Sequence, residues 1–257
     1  MKIKLVIEYD GKNYSGWQKQ DGAVTIEGEL TRVIESVVGM PVVLYASGRT
    51  DAGVSARGQV AHFEVPDSFK FNKFSFLGSV NHFLPDDIMV KDACTVDDEF
   101  DARFSAKKKT YRYYFYISRF EQPRYKNYLR VNDNADVLLM RQALGYLVGE
   151  HDFKSFVARK SGKTNFVRTI FAASIVNVED NLYYLEITGN GFLYNMVRII
   201  MGTLIKIGTR KCEPSFMKDI IDGKERALAG KTVGGLPLVL WSVEYDDLCL
   251  KKNNKNS

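Results

Sequence analysis

The stretch "ASGRTDAGVSARGQVAHFE", residues 46 to 64, places one carboxylate, Asp51, in a turn of Gly, Ser, Thr and Arg residues. Gly48 and Gly53 bracket Arg49, Thr50 and Asp51. Glycines let a chain turn tightly enough to aim a side chain away from the strands on either side. A carboxylate aimed in this way can stabilise positive charge, attack an electrophilic carbon or take a proton. An Asp beside a Gly can equally cap a backbone amide and do nothing more. The residue types leave both readings open.

A lone cation raises the complementary question. In "NMVRIIMGTLIKIG", Met196, Ile199, Ile200, Thr203, Leu204 and Ile207 recur at helical spacing, and Val197, Met201, Gly202 and Ile205 surround the direction of Arg198. The pattern predicts a helix that is apolar nearly all round and buried. A guanidinium there calls for an anion, and its rigid fork suits a carboxylate. Asp51 is an eligible partner; solvent or a phosphate is the alternative.

Other candidate chemistries fail on spacing. "SGKT" at 161 to 164 has Val157 where a phosphate-binding loop needs its first Gly. His62, His82 and His151 are too dispersed for metal-ligand spacing, so no metal site is expected. Cys94, Cys212 and Cys249 are odd in number and far apart, which argues against a disulfide framework or a C-x-x-C redox pair and fits a reducing cytoplasm. "KKKTYRYYFY" is similar to the aromatic, basic strand of an RNA-recognition module but lacks the Gly after its first basic residue.

The elements that must position these groups follow from periodicity. Ile3, Leu5, Ile7 and Tyr9 share one face of a strand. Thr25 is placed to cap a helix carrying Ile26, Leu30, Val33, Ile34, Val37 and Val38, which Gly39 and Pro41 stop. Strands at about 41 to 46, 59 to 65 and 88 to 96, with a helix near 72 to 83, complete a βαββαβ order. The order restarts with "TYRYYFYIS", then a helix near 136 to 148, two strands around 170 to 188, a helix near 194 to 208 and a strand in "PLVLWSVEY". The expected class is α+β: two ferredoxin-like, RRM-like halves with antiparallel sheets flanking a central cleft. Residues 1–105 form the first half, 106–246 the second, and 247–257 a polar tail.

The whole chain of 257 residues has 45% hydrophobic and 26% charged residues, enough to bury a sizeable core. No stretch approaches the roughly 20 apolar residues of a membrane span, so a soluble protein is expected. With 36 Lys and Arg against 31 Asp and Glu, a net charge of +5 favours an acidic partner, nucleic acid first. The basic segments "RFEQPRYKNYLR" and "RKSGKT" are candidate phosphate contacts.

Four motifs, "YDGKNYSGWQKQ", "GRTDAGVSARGQVAHF", "FDARFSAKKKTYRYYFY" and "GNGFLYNMVRIIMGTL", resemble those of the tRNA pseudouridine synthase A family in order and spacing across residues 2 to 246. The resemblance implies an isomerase that converts uridine to pseudouridine at tRNA positions 38 to 40, in the anticodon arm, without cofactor or metal and as a homodimer. It makes Asp51 the catalytic aspartate, Arg198 its salt-bridge partner, Tyr111 the aromatic that packs on the target base and Arg49 a holder of the flipped nucleotide. The active-site leucine falls on Leu238. Two departures stand out: Ser55 replaces the family's usual His, and "GLPLVLW" replaces its Gly-Leu-Tyr-Leu pattern. Two rival classes are a noncatalytic RNA-binding protein and a nucleoside hydrolase.

Overall fold

The computed structural model describes residues 1–158 and 165–246. The "RKSGKT" segment, the tail from residue 247 and Cys249 lie outside the described residues. The chain is α+β, with ten strands and five α-helices among the described residues and mostly antiparallel pairing. It divides into two compact units: Met1–Lys107 together with the chain from Leu240, and Lys108–Val239.

The first unit contains β1 (Lys2–Tyr9), α1 (Ile26–Val38), β2 (Tyr45–Ala46), β3 (Ser55–Glu64), α2 (Lys73–Phe83) and β4 (Ile88–Val96). Its sheet runs β4-β1-β3 and continues to β10 (Leu238–Glu244), while β2 also pairs with β3. Ile3, Leu5 and Ile7 are fully buried and Tyr9 nearly so, on one face of β1 as the alternation predicts. In α1, Thr25 Oγ1 accepts the Gly28 N–H at 3.3 Å, and Gly39 ends the helix at φ 75°. The helix buries Ile26, Leu30, Val33, Ile34 and Val38. Each such side chain contributes roughly 1.5–3 kcal/mol, against about 1 kcal/mol for the cap, so the apolar face holds the helix.

Two strand limits differ from the sequence expectation. Of residues 41 to 46, only Tyr45 and Ala46 pair, with His62 and Ala61 of β3. Val42 and Leu44 still point inward, but the Val42 N–H goes to Glu35 Oε1 at 3.0 Å and not to a neighbouring strand. β3 starts at Ser55, four residues before the expected 59.

The second unit contains β5 (Lys108–Ile117), β6 (Leu129–Val131), α3 (Val137–Leu144), β7 (Gly149–Asp152), β8 (Val167–Glu179), β9 (Leu182–Gly189), α4 (Met196–Gly208) and α5 (Phe216–Gly223). The sheet order is β5-β9-β8-β7, with β6 parallel on β5. Tyr113, Phe115, Leu185 and Ile187 are completely buried on one face of β5 and β9. α4 is buried nearly all round, as its composition predicts. The expected helix at 136 to 148 stops at Leu144, where residues 145 to 147 tighten into a 3-10 turn. β6, β7 and α5 carry too few residues for periodicity to reveal them.

Candidate active site

Asp51 lies half-buried in the loop between β2 and β3. The loop is held on both sides of the acid. Before it, Ser47 Oγ donates to Gln59 Oε1 at 2.7 Å, and Gln59 Nε2 donates to the Gly48 carbonyl at 2.9 Å. Next to it, Thr50 Oγ1 shares a 2.8 Å hydrogen bond with Tyr9 Oη, and the Trp17 N–H donates to the Thr50 carbonyl at 3.0 Å. After it, the Val54 N–H donates to the Asp51 carbonyl at 3.1 Å, and Gly53 takes φ 77°. Ser47, Gln59, Thr50 and Tyr9 are all buried. Burial pushes the Tyr9 hydroxyl up to about 12, opposed by its hydrogen bonds to Thr50 and Gln59, so the phenol stays neutral at physiological pH and serves as a hydrogen-bonding post.

The motif "YDGKNYSGW" forms the floor of this loop. At Gly16, with φ +91°, a Cβ would sit 2.7 Å from the Thr50 carbonyl oxygen, and at Gly11 one would sit 2.1 Å from the Val54 carbonyl oxygen. Only glycine permits either approach. Ser55, the departure from the family's His, accepts the Gly11 N–H at 3.0 Å and donates to Asp10 Oδ1 at 3.4 Å, so it ties the start of β3 to the same floor. Arg49 is exposed on the loop beside Asp51.

In the second unit, Arg198 is half-buried in the first turn of α4. Its Nε donates to the Val233 carbonyl at 2.8 Å and its Nη1 to Asn195 Oδ1 at 2.6 Å. Asn195 adopts φ 62°, a left-handed conformation that Asn tolerates better than most residues. The segment that offers Val233 lies directly on α4: a Cβ on Gly202 would come 1.9 Å from the Lys231 carbonyl oxygen, and one on Gly230 would come 2.3 Å from the Gly202 carbonyl carbon. Thr203 Oγ1 accepts the Gly230 N–H at 2.9 Å and closes the contact.

Tyr113 Oη donates to the Gly234 carbonyl at 2.9 Å, next to the carbonyl that Arg198 takes. Burial raises the Tyr113 hydroxyl well above the usual tyrosine range, opposed by the Arg198 charge. Leu238 is buried at the start of β10, and its N–H donates to the Gly235 carbonyl at 2.9 Å. The chain from Val233 to Leu238 is thus one short scaffold that also holds the guanidinium. Tyr111 is half-buried on β5, paired with Ile187, and its ring meets Phe192 edge to face at 5.1 Å. The neighbouring Tyr113 and Phe115 are core residues, whereas Tyr111 keeps an accessible surface.

Sequence reasoning missed Thr50, Gln59, Ser47 and the hydroxyl of Tyr9 as a network. One signal was present: Gln59 is an amide at the head of the apolar run "VAHF", and a buried amide or tyrosine hydroxyl must find partners. Among the described residues no group of three or more His, Cys, Asp or Glu is arranged to hold a metal ion, and no helix is long and apolar enough to cross a membrane.

Comparison with known proteins gives the family. A sequence model described as tRNA pseudouridine synthase matches residues 143–246. The chain is 43% identical over 245 residues to tRNA pseudouridine synthase A of Ruminiclostridium cellulolyticum, covering 95% of this chain and 99% of that protein. It is 42% identical over 252 residues to tRNA pseudouridine synthase A of Bacillus subtilis, covering 96% of this chain and 100% of that protein. Among solved structures, an H/ACA ribonucleoprotein bound to a substrate RNA is similar at a TM-score of 0.36 and 12% identity, covering 79% of this chain and 44% of that one, too distant to carry an argument. On its near full-length identity to these relatives, the chain belongs to the tRNA pseudouridine synthase A family of isomerases.

Proposed function

We propose that this synthase isomerises uridines at positions 38 to 40 of the tRNA anticodon arm, acting in the cytoplasm as a homodimer, with Asp51 as its catalytic carboxylate. In this reaction the bond from ribose C1′ to base N1 breaks, the uracil turns, and C5 bonds to C1′. The hydrogen on C5 leaves to solvent and N1 gains one, so no group is added or lost. Breaking the glycosidic bond develops positive charge on the sugar, which a carboxylate held at C1′ stabilises. A carboxylate serves this purpose only if its backbone is fixed beforehand. The observation that carries the reading is therefore the clamp on the Asp51 loop, in which Tyr9, Thr50, Ser47 and Gln59 fix the chain leading into the acid and backbone bonds from Gly53 and Val54 fix the chain leaving it.

Arg198 supplies the balancing cation, its fork already oriented by Val233 and Asn195. Tyr111 gives the extracted base an aromatic surface worth about 1–3 kcal/mol. Arg49 holds the flipped nucleotide, and Leu238 lines the base pocket. The order β4-β1-β3 with β2 on the far side of β3 supports reading the first unit as a ferredoxin-like half, and β5-β9-β8 supports the same for the second.

The test uses tRNA carrying tritium at uracil C5. Purified enzyme is expected to release tritium to solvent in amounts matching the pseudouridine formed, and transcripts with uridine removed from positions 38, 39 and 40 in turn are expected to lose release accordingly. Binding of tRNA without release would make the chain a noncatalytic RNA-binding protein. Release of free uracil would make it a hydrolase.

A further inference from the structure

The motif "FDARFS", residues 100 to 105, takes no part in the chemistry above, yet each of its backbone N–H groups is hydrogen-bonded. The Phe100 N–H donates to the Asp97 carbonyl at 3.0 Å. Asp101 Oδ1 accepts the N–H groups of Arg103 and Phe104 at 2.7 and 2.8 Å, and the Asp101 N–H donates to Ser105 Oγ at 3.1 Å. The Ala102 N–H donates to His62 Nδ1 at 3.2 Å, and the Ala102 carbonyl accepts Tyr245 Oη at 2.6 Å. Phe100 and Ala102 are buried in the core beside Val60 and Val96. Four of the six residues therefore build the turn.

The other two are displayed by it. Phe104 is 81% exposed, and the exposed Arg103 guanidinium lies 5.4 Å from the centre of its ring. Among the described residues Arg103 forms no ion pair. A second exposed aromatic is linked to the same turn through His62: Tyr45 stacks on His62 at 5.1 Å and 21°, and His62 is the residue that anchors Ala102. A large aromatic held in water by a hydrogen-bonded turn contributes nothing to the core. With an unpaired guanidinium it offers a π-face and a cation, the chemistry that takes an unstacked base and its phosphate.

We infer that Phe104 and Arg103, with Tyr45 nearby, form a docking site for an unpaired nucleotide of the RNA substrate, separate from the site of the target base. The inference rests on the reading of the chain as a tRNA-modifying enzyme. Its place in the fold sets its role. The Asp51 loop is tied to the Tyr9 and Ala56 end of β1 and β3, whereas His62 pairs with Lys4 towards the other end. At about 3.3 Å per residue, the seven steps from Ser55 to His62 span about 23 Å. That exceeds the reach of one flipped nucleotide and matches a contact further along the RNA. The site therefore acts on binding and not on the chemical step.

The experiment measures kcat and KM for tRNA with wild type, Phe104→Ala, Phe104→Trp, Phe104→Leu and Arg103→Gln, with melting temperature and oligomeric state recorded for each. Phe104→Ala and Phe104→Leu are expected to raise KM about tenfold with kcat within about twofold, while Phe104→Trp stays near wild type, because a stacking partner needs a π-face. Arg103→Gln should lower the slope of log affinity against log salt by about one. Melting temperatures should not move, since neither side chain is packed. An inactive wild type would defeat the functional reading itself. With an active wild type, an unchanged KM in Phe104→Ala, a Leu variant as good as Trp, a loss confined to kcat, or a shift from dimer to monomer would each overturn the nucleotide site, the last by making Phe104 a contact between copies of this chain.

Discussion

Asp51 and Arg198 are held in contrasting ways. The acid sits on a loop gripped by side chains, the Tyr9 and Thr50 hydroxyls, Ser47 and the Gln59 amide. The cation meets a main-chain carbonyl, that of Val233, which reaches it because Gly202 and Gly230 bring two backbones into contact. A side-chain grip can be dismantled one group at a time, and each group removed should produce a graded loss. A backbone contact has no such intermediate states. Close-packed interiors do not deform continuously, so a Cβ placed there shifts the whole segment. Damage at the Gly202–Gly230 contact should therefore tend towards all or none, and damage to the side-chain grip on Asp51 should be divisible.

The largest effect is expected from Gly202→Ala. Its Cβ would lie 1.9 Å from the Lys231 carbonyl oxygen, so the segment carrying Val233 must move. We expect a loss of about 3 kcal/mol or more, at the upper end of overpacking costs, read from the denaturant midpoint. A loss below about 1 kcal/mol would show that the contact is not tight and would break the contrast.

Arg198→Lys comes next. A lysine keeps the charge but cannot hold the Val233 carbonyl and Asn195 Oδ1 in one plane. We expect kcat to fall about a hundredfold, or roughly 2.7 kcal/mol of transition-state stabilisation, with the melting curve close to wild type. Full activity in this variant would mean that charge alone matters and orientation does not.

On the other side of the comparison, Thr50→Val removes one hydroxyl from the grip on Asp51 and leaves Tyr9 Oη with its hydrogen bond to Gln59 alone. Stability should fall by about 1 kcal/mol, the net worth of one buried hydrogen bond. The sharper readout is kinetic: kcat falls about tenfold with KM for tRNA unchanged, and Thr50→Ser, which keeps the hydroxyl, restores it. A stability loss with kcat intact would make Thr50 merely structural.

The smallest effect concerns pH. Burial lowers the pKa of His62 below its ordinary 6.5, opposed by Asp101 and Glu64 and reinforced by Lys2. The unfolded chain then binds the proton more readily than the folded one. Stability from this group is complete above pH 6.5, declines as pH falls below that value, and levels off below the folded pKa. Protonation at Nδ1 would also cancel its acceptance of the Ala102 N–H. Chemical denaturation at several pH values should show this slope in wild type and lose it in His62→Gln. An equal slope in both would assign it elsewhere.

Much of this contrast was readable in the residues, and some was not. The periodicity of Ile26 to Val38 and the all-round apolar character of residues 196 to 208 predict α1 and α4 because helical burial leaves a regular imprint. Asp51 and Arg198 were singled out from residue types and from the motif resemblance, and Tyr111, Arg49 and Leu238 from the resemblance alone. The two grips were not legible. Which hydroxyl meets Thr50, or which carbonyl meets Arg198, depends on contacts between positions 41 and 35 residues apart. Nothing in local pattern encodes such a pairing. Gly11, Gly16, Gly202 and Gly230 looked like ordinary turn or helix glycines until the opposing backbone was seen.

The central claim, that Asp51 is the group that does the chemistry, is tested most directly by single-turnover pseudouridine formation in Asp51→Asn. The amide is nearly isosteric with the acid and keeps an oxygen that accepts hydrogen bonds. Tyr9 and Gln59 hold the loop through Thr50, Ser47 and the Gly48 carbonyl, contacts that the substitution leaves in place. The folded variant is therefore expected to bind tRNA with near wild-type affinity and to form no detectable pseudouridine. Product formation by that folded variant at close to the wild-type rate would contradict the account and leave Asp51 as a turn residue only.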